Sequence, residues 1–484
     1  MTTAPAVRGP EAKLSPLERL EVLCDPDSLH LLRTDVRSRR MGDKARPGDG
    51  VLGATGRVDG RPVACFAQDA SFAGGSLGEA HADTVVSVLA LAERTQVPVI
   101  GFVESAGARM QEGLAALSGY GRIFNHHVAL SGRVPQISVI CGASAGGGSY
   151  APALTDFVIM TESASMFLTG PGVVAAVTGE DVTALELGGP RVHERNGVCH
   201  LVAPTDVEAA LLARDLLDFL PQNSEAPPTL WPAVDPPAVA PDHVVPAEER
   251  KVYDVRDVAR ALLDGGRLLE ISPRYARNIV CAFGRLEGRS VGIVANQPRY
   301  LGGVLDSDAS QKAARFVRTC NLFRIPLLVL VDTPGFLPGT KQEKLGVIRH
   351  GAKLVHAFAE CTVPRVTVLL RKAFGGAFIA MNSKELGADF VYAWPSAQLG
   401  VMGALQAVDI INRREIASAD DPASARVELA ASYAAEHLHP GAASAEGYVD
   451  DVIQPAETRE RVSAAFLALD SVPPRRRPLG NIPL

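Results

Sequence analysis

The stretch VPQISVICGASAGGGSYAPALTDFVIM, residues 134–160, joins an apolar strand to a glycine-rich turn, and the chain repeats this pattern once. The second copy, VPRVTVLLRKAFGGAFIAMNSKELGADFVYAW, begins 229 residues later, at residue 363. In each copy a Val-Pro pair precedes the strand, a Gly-Gly pair follows it, and an Asp opens the next apolar run. The chain therefore contains two diverged copies of one domain, which suggests two related sites and two substrates.

The likeness extends to both sides of this stretch. Upstream, VPVIGFVESAGARMQEG (97–113) matches IPLLVLVDTPGFLPGTKQEKLG (325–346), and downstream SASMFLTGPGVV (163–174) matches SAQLGVMGALQAV (396–408). The strands read as continuous apolar runs separated by segments of helical length. This pattern is typical of parallel sheets that are buried on both faces, so the sequence predicts an α/β fold.

A proline-rich stretch separates the two copies. Residues 221–246 hold eight prolines, a density that opposes both helix formation and sheet pairing, so we expect an inter-domain linker there. We place the N-terminal domain at residues 1–235 and the C-terminal domain at 236–484. The first 45 residues are predicted to be polar and helical, with Ser15 as N-cap and Pro16 as the first helical residue.

Composition excludes several classes of protein. The net charge is −6 with both signs spread along the chain, and the only run of three consecutive basic residues is Arg475-Arg476-Arg477, so no nucleic-acid partner is expected. The apolar runs are of strand length, which argues against a membrane span. No apolar secretory segment opens the chain, and no cysteines form a Cys-x-x-Cys pair. We expect a cytoplasmic protein without bound metal, whose buried free thiols are Cys24, Cys65, Cys141, Cys199, Cys281, Cys320 and Cys361.

The glycine pairs are the first candidates for chemistry. Ala145-Gly146-Gly147-Gly148 and Phe374-Gly375-Gly376-Ala377 each follow a predicted strand and open a predicted helix. The N–H groups at a helix start have no intrahelical acceptor, and glycine lets a substrate oxygen approach them closely. Two such N–H groups form an oxyanion hole. The alternative is tight packing of helix on strand, which also favours glycine.

Other residues allow competing hypotheses. Gly142-Ala143-Ser144-Ala145-Gly146 fits the G-x-S-x-G pattern of a serine hydrolase, but the second copy has no nucleophile at the equivalent position. Glu104 and Arg109 flank a small-residue loop that suits a ligand, or else forms a capped helix with a solvated arginine. His126-His127 lacks the spaced partners of a metal site.

Taken together, these motifs resemble the carboxyltransferase (beta) subunit of biotin-dependent acyl-CoA carboxylases, especially bacterial acetyl-/propionyl-CoA carboxylases. The resemblance covers nearly the whole chain and includes SAGARMQEG, SAGGGSYAPALTDF, NQPRYLGGVLDSDASQKAARF, DTPGFLPG and RKAFGGAFIAMNSKELGADF. It implies two tandem crotonase-like domains, each a ββα spiral. It also implies a hexamer, a ring of dimers with each active site at a dimer interface.

The same resemblance assigns the two glycine pairs. The N–H groups of Gly146 and Gly147 would hold the thioester oxygen of acyl-CoA, and those of Gly376 and Ala377 the ureido oxygen of biotin. Biotin would arrive as carboxybiotin on a biotin carboxylase/carboxyl carrier (alpha) subunit, and no metal is implied. The neighbouring residues expected to contact substrate are Ser105, Gly107, Ala108, Arg109, Ala145, Phe374, Gly375 and Ile379.

Substrate preference is inferred from one position. Many propionyl-CoA enzymes of this family carry aspartate where this chain has Ile379, so we expect acetyl-CoA to be carboxylated to malonyl-CoA, with propionyl-CoA as the second substrate. Malonyl-CoA would feed fatty-acid or polyketide synthesis. Two alternatives remain open, namely a biotin-dependent decarboxylase or transcarboxylase on the same fold and a non-catalytic scaffold subunit.

Overall fold

The computed structural model describes residues 13–246, 248 and 251–470. These residues form two compact units that divide between Pro227 and Pro228. The predicted irregular tail, with its arginine triplet at 475–477, lies outside the described residues.

The first unit contains eight strands and eight α-helices, counted within the described residues. The strands are β1 His30–Leu32, β2 Val51–Val58, β3 Arg61–Gln68, β4 Val99–Ser105, β5 Gln136–Ala145, β6 Phe157–Thr161, β7 Ser165–Phe167 and β8 Leu201–Ala203. The helices are α1 Pro16–Leu23, α2 Glu79–Thr95, α3 Leu114–Leu130, α4 Gly147–Ala153, α5 Pro171–Thr178, α6 Ala184–Gly188, α7 Pro190–Asn196 and α8 Asp206–Phe219.

The second unit repeats this order. Its strands are β9 Leu268–Ile271, β10 Ile279–Leu286, β11 Arg289–Asn296, β12 Leu327–Thr333, β13 Arg365–Phe374, β14 Phe390–Ala393, β15 Gln398–Gly400 and β16 Asp451–Val452. Its helices are α9 Val255–Leu262, α10 Ser307–Leu322, α11 Thr340–Lys344, α12 Val347–Glu360, α13 Gly375–Ala380, α14 Ala404–Ile411, α15 Arg413–Ser418, α16 Pro422–Tyr433, α17 Pro440–Ala445 and α18 Thr458–Leu469.

The two sheets have the same topology. The first has the order β1-β2-β3-β4-β5-β6-β8 with β7 beside β5, and the second has β9-β10-β11-β12-β13-β14-β16 with β15 beside β13. In each sheet the first three strands pair antiparallel and the remaining pairs are parallel. The predicted α/β fold with two similar domains is therefore confirmed.

The continuous apolar runs form the middle of each sheet. Every residue of β4 and of β12 is buried, as expected for a strand covered on both faces. In the first unit α2 and α3 pack on each other, and in the second α10 and α12 do the same. All seven cysteines are free and buried, as predicted.

One local prediction was wrong, and the expectation that the prolines of the linker prevent sheet pairing has one exception. Of the first 45 residues, those described form the helix α1, with the predicted Ser15 cap, but then a turn and the short strand β1. The proline-rich stretch also makes one sheet contact, because Leu230 and Trp231 lie between prolines and keep their N–H groups. Leu230 bridges Arg289, and the Trp231 N–H donates to the Gly288 carbonyl at 2.9 Å.

Over the described part of the chain, no helix combines the length and apolar character that crossing a membrane requires.

Candidate active site

The two glycine-rich turns occupy equivalent places in the two sheets. β5 and β13 each have ten residues, and each is followed at once by a glycine with positive φ, 56° at Gly146 and 60° at Gly375. Side chains rarely adopt this backbone conformation, which explains the glycine at both positions. Helices α4 and α13 begin in these turns, so each turn presents first-turn N–H groups at the end of a parallel strand.

The N–H of Gly146 already has a partner. It donates to the carbonyl of Phe167 at 3.0 Å, where β7 lies beside β5. Because this N–H already donates to a backbone carbonyl, the expectation that it contacts a substrate oxygen does not fit the structure. The first-turn donors that remain in the first unit are Gly147 and Gly148. Gly147 and Gly148 lie 229 residues before Gly376 and Ala377, which is the offset between the two copies. The pair proposed from the sequence, Gly146 and Gly147, does not have this offset from Gly376 and Ala377.

The two turns differ in the space beside them. A Cβ built on Gly376 would meet no atom within 4 Å, whereas one built on Gly147 would lie 2.7 Å from the Tyr120 ring. Gly376 is exposed and Ala377 is fully buried. The second turn therefore leaves room for a ligand next to its donors, and the first turn is covered on one side by an aromatic ring.

Ser144 has a structural role. Its side chain is fully buried, and its hydroxyl donates to the Gly148 carbonyl at 2.7 Å. The Ser144 carbonyl in turn accepts from the Ser149 hydroxyl at 2.6 Å. A catalytic serine would instead give its proton to a histidine. These two bonds brace the turn from Ser144 to Ser149, and the serine-hydrolase hypothesis loses its support.

Ser144→Ala is expected to leave the carboxyl transfer that the resemblance implies within about threefold of the unchanged protein, because the Ser149 hydroxyl still donates to the backbone carbonyl at position 144. It should cost about 1 kcal/mol in stability, the net value of one buried hydrogen bond. Initial rates of transfer and urea unfolding would check both values. Loss of all activity with an intact fold would instead support a nucleophilic serine.

The loop after β4 lies against the first turn. The Gly107 N–H donates to the Ser105 hydroxyl at 3.2 Å, and that hydroxyl lies 3.4 Å from the Tyr120 hydroxyl. Gly107 has a φ of 97°, and a Cβ there would approach the Ala145 carbonyl oxygen to 3.3 Å. The structure therefore brings Ser105, Gly107 and Ala145 together beside the turn. Ala108 is held next to them by its bridge to Leu77.

Arg109 lies inside the protein. Its guanidinium pairs with Asp49 at 2.6 Å and Glu112 at 2.8 Å, donates to the Ser76 carbonyl, and lies over the Phe72 ring. All three charged side chains of this cluster are fully buried. Arg109 has no surface toward a substrate, so the expected contact with substrate does not fit its position. It instead fixes the loop that carries Ser105 and Gly107.

The pKa values of the two acids in this cluster shift in opposite directions. Burial raises the pKa of Asp49 above its ordinary value, although Arg109 opposes the shift. Burial acts in the same sense on Glu112, but hydrogen bonds from the Glu79 N–H, the Ser38 hydroxyl and Arg109 hold the pKa of Glu112 below its ordinary value. Glu112 therefore stays ionised as the counter-charge of Arg109.

Each sheet also carries a buried acid at a bulge near its turn. The parallel register shifts at Glu104 in β4 and at Asp332 in β12. The Gln68 side chain accepts the Glu104 N–H at 2.9 Å, and the Asn296 side chain accepts the Asp332 N–H at 3.4 Å. Asp332 was not among the residues predicted from the sequence, although the alignment of VESAG with VDTPG places an acid at both positions.

The two acids have different partners. Glu104 pairs with Lys13 and Arg19, whereas Asp332 pairs with Arg371 at 3.1 Å and accepts from the Tyr253 hydroxyl at 2.9 Å. Burial raises the pKa of Asp332 above its ordinary value, although Arg371 opposes the shift. Asp332 also accepts the Lys372 N–H at 3.2 Å, which ties this bulge to β13 two residues before Phe374.

The remaining predicted residues lie around the second turn. Phe374 is buried at the end of β13, and Gly375 and Ile379 belong to α13. The Ile379 side chain is 48% exposed, which is high for an isoleucine and places it on the open side of the helix. His127 is buried and bonds the Gln136 side chain at 2.7 Å, a structural role. No three His, Cys, Asp or Glu side chains among the described residues are grouped to hold a metal ion.

Comparison with known proteins identifies the relatives of this arrangement. The carboxyl transferase domain family matches residues 8–478. The chain is 49% identical to the methylmalonyl-CoA carboxyltransferase 12S subunit of Propionibacterium freudenreichii subsp. shermanii, with 94% of this chain and 88% of the relative covered. It is 45% identical to the biotin-dependent acetyl-/propionyl-coenzyme A carboxylase beta5 subunit of Mycobacterium tuberculosis H37Rv, with 98% and 90% covered.

A solved structure supports the same family relationship. The crystal structure of transcarboxylase 12S, described as a hexamer assembly with methylmalonyl-coenzyme A and methylmalonic acid bound, superposes with a TM-score of 0.92 at 48% identity. The match covers 98% of this chain and 92% of that chain. This likeness confirms two tandem domains of the crotonase type.

Proposed function

Because the chain belongs to the carboxyl transferase domain family of biotin-dependent enzymes, we propose that it transfers a carboxyl group from biotin on a partner protein to the α-carbon of a short acyl-CoA. The observation that carries the proposal is the pair of equivalent turns, each with two first-turn N–H groups at the end of a parallel strand. In this reaction negative charge develops on two oxygen atoms, the thioester oxygen of acyl-CoA and the ureido oxygen of biotin. Each oxygen needs its own pair of donors.

In the first unit, the N–H groups of Gly147 and Gly148 would hold the thioester oxygen. Negative charge collects on that oxygen when the α-carbon loses its proton, so donors that are already in place lower the barrier. The bonds that Ser144 makes to Gly148 and Ser149 keep the donors in place before substrate arrives. Glu104 is held by Lys13 and Arg19, and we do not propose it as a base.

In the second unit, the N–H groups of Gly376 and Ala377 would hold the ureido oxygen of biotin. The open space beside Gly376 fits such a ring, since an added Cβ meets nothing within 4 Å. When bound, biotin supplies the carboxyl group that is transferred. Asp332, Arg371 and Tyr253 would keep the end of β13 fixed through the Lys372 N–H bond.

The proposed acyl substrates are acetyl-CoA and propionyl-CoA. The names of the relatives favour propionyl-CoA and methylmalonyl-CoA, whereas the apolar Ile379 favours acetyl-CoA. The proposed partner is a biotin carboxylase/biotin carboxyl carrier subunit, and the proposed assembly is the hexamer described for transcarboxylase 12S.

The test is ATP-dependent fixation of labelled bicarbonate by this chain together with a biotinylated partner subunit. Acetyl-, propionyl- and butyryl-CoA would be compared at equal concentration. We expect malonyl-CoA and methylmalonyl-CoA as products at rates within about tenfold of each other, since one methylene changes binding by roughly that factor. Absence of fixation with a partner that is active with another carboxyltransferase would contradict the proposal.

Ile379→Asp is expected to raise the ratio of propionyl- to acetyl-CoA carboxylation about tenfold, the effect of one altered contact in a specificity pocket. The side chain is half exposed on α13, so the fold should tolerate the change. The exposed Ile410→Asp on α14 serves as the control and should leave the ratio unchanged. Equal ratios in all three proteins would show that Ile379 does not determine the choice.

A second candidate function is transcarboxylation, in which the half-reaction runs the other way and a carboxylated acyl-CoA such as methylmalonyl-CoA gives its carboxyl group to biotin. The 49% identity to the methylmalonyl-CoA carboxyltransferase 12S subunit favours it. The two functions use the same half-reaction and differ in what recharges biotin. A partner that carries biotin but lacks a biotin carboxylase domain would identify transcarboxylation.

A further inference from the structure

An exposed run of cations precedes β2 in the first unit. The run, hereafter the basic segment, is RTDVRSRRMGDKAR, residues 33–46, with six cations and two aspartates, while the whole chain has a net charge of −6. The excess of positive charge in this segment is therefore not apparent from the net charge of the whole chain. Its cationic residues are Arg33, Arg37, Arg39, Arg40, Lys44 and Arg46.

Few of these charges are neutralised within the part of the chain that the structure describes. Arg40 pairs with Glu79 at 3.0 Å, an ion pair that is half exposed. Arg39 and Lys44 are exposed and make no ion pair with a described residue. Arg46 is exposed, and its guanidinium lies 5.5 Å from the centre of the Phe72 ring. The segment therefore presents free positive charge to solvent.

Two contacts attach the basic segment to the candidate active site. The Ser38 hydroxyl donates to Glu112 at 2.7 Å, and Glu112 pairs with Arg109 at the end of the loop after β4. Arg46 lies on Phe72, which opens the turn whose Gly74 carbonyl accepts the Ala106 N–H at 3.0 Å. The cations are thus held beside the loop that lies against Ala145 and the first glycine turn.

We propose that the basic segment binds the phosphate groups of the coenzyme A moiety of the substrate. The inference rests on the proposed function, which places the thioester at Gly147 and Gly148. An acyl-CoA carries its thioester at one end of a long arm and its phosphates at the other, so it needs a cationic surface at some distance from the turn. Arginine is suited to phosphate, and a local positive field in an acidic protein draws an anionic substrate inward.

The test compares two doubly substituted proteins with equal changes of charge. Arg39→Gln/Lys44→Gln removes two exposed cations of the basic segment that make no ion pair with a described residue. The control, Arg57→Gln/Arg94→Gln, removes two exposed cations of the same unit. These lie near the far end of α2, about 22 Å along the helix from Glu79, and Arg57 lines a cavity there with Leu91 and Thr95.

Two readouts are measured on each protein, namely calorimetric binding of coenzyme A and KM for acyl-CoA against acyl-pantetheine, which lacks the 3′-phospho-ADP group. For Arg39→Gln/Lys44→Gln we expect the Kd for coenzyme A and the KM for acyl-CoA to rise about tenfold, the combined effect of two exposed charge contacts. The KM for acyl-pantetheine should be the same in all three proteins. The control should match the unchanged protein throughout.

Unchanged binding of coenzyme A by Arg39→Gln/Lys44→Gln would overturn the inference, as would an equal rise of KM for both thioesters. Failure of the unchanged protein to carboxylate either thioester would refute the proposed function instead. In that case calorimetry with coenzyme A still decides the role of the basic segment, because it requires no turnover.

Discussion

Gly376→Pro is expected to lower the rate of carboxyl transfer by about 10²–10³-fold, the loss found when one oxyanion-hole donor is removed. Proline has no N–H, and in the first turn of α13 that N–H has no intrahelical acceptor, so the helix should still form. The proline Cβ would lie where an added Cβ meets nothing within 4 Å. Steady-state rates of label transfer would measure the loss.

The matched control is Gly376→Ala, which keeps the N–H. The φ of Gly376 is not positive, so alanine fits the backbone without strain. We expect a much smaller loss than with proline and the same thermal unfolding midpoint within a few degrees. Equal losses in two folded variants would show that space matters at Gly376 and that its N–H does not. A proline variant that keeps full activity would refute the oxyanion role.

Arg109→Met is expected to destabilise the first unit by about 3–5 kcal/mol, because it leaves the buried carboxylates of Asp49 and Glu112 without their partner. The control is Arg122→Met, which removes a cation from an ion pair with Asp83 whose side chains are both 40% exposed. Exposed pairs contribute about 0–1 kcal/mol, so the control should unfold almost as the unchanged protein does. Urea unfolding followed by circular dichroism would compare them.

This pair of variants also separates the two roles considered for Arg109. A structural arginine predicts lower stability, with KM for acyl-CoA nearly unchanged in the fraction that remains folded. A substrate-binding arginine predicts a raised KM with stability close to that of the Arg122→Met control. The second result would contradict the burial of Arg109 described above.

The fold could be predicted from the sequence because the patterns that specify it lie within short stretches and occur in both copies. Continuous apolar runs such as ISVIC and LLVLVD can be buried only inside a two-faced sheet, and the second copy repeats them with the same glycine turn. The Ser15 cap of α1 could also be predicted from the sequence, because its capping box spans only Ser15 to Glu18. Agreement between two copies made each local pattern more informative than it would be alone.

The details of the site could not be predicted in the same way, because they depend on contacts between residues that are far apart in the sequence. Arg109 looked like a loop residue near a ligand, but its partner Asp49 lies 60 residues away in the chain. The N–H of Gly146 looked free until β7 placed the Phe167 carbonyl beside it. Such contacts follow from strand register, which single-sequence patterns near a glycine turn do not specify.

The central claim is tested most directly by following the labelled carboxyl group of methylmalonyl-CoA to biotin on a carrier protein, with this chain as the only catalyst. Methylmalonyl-CoA would become propionyl-CoA, and the label would appear on the carrier. We predict rapid transfer of label by the unchanged protein and transfer slowed about 10²–10³-fold by Gly376→Pro. No label on the carrier from either methylmalonyl-CoA or malonyl-CoA would contradict the account.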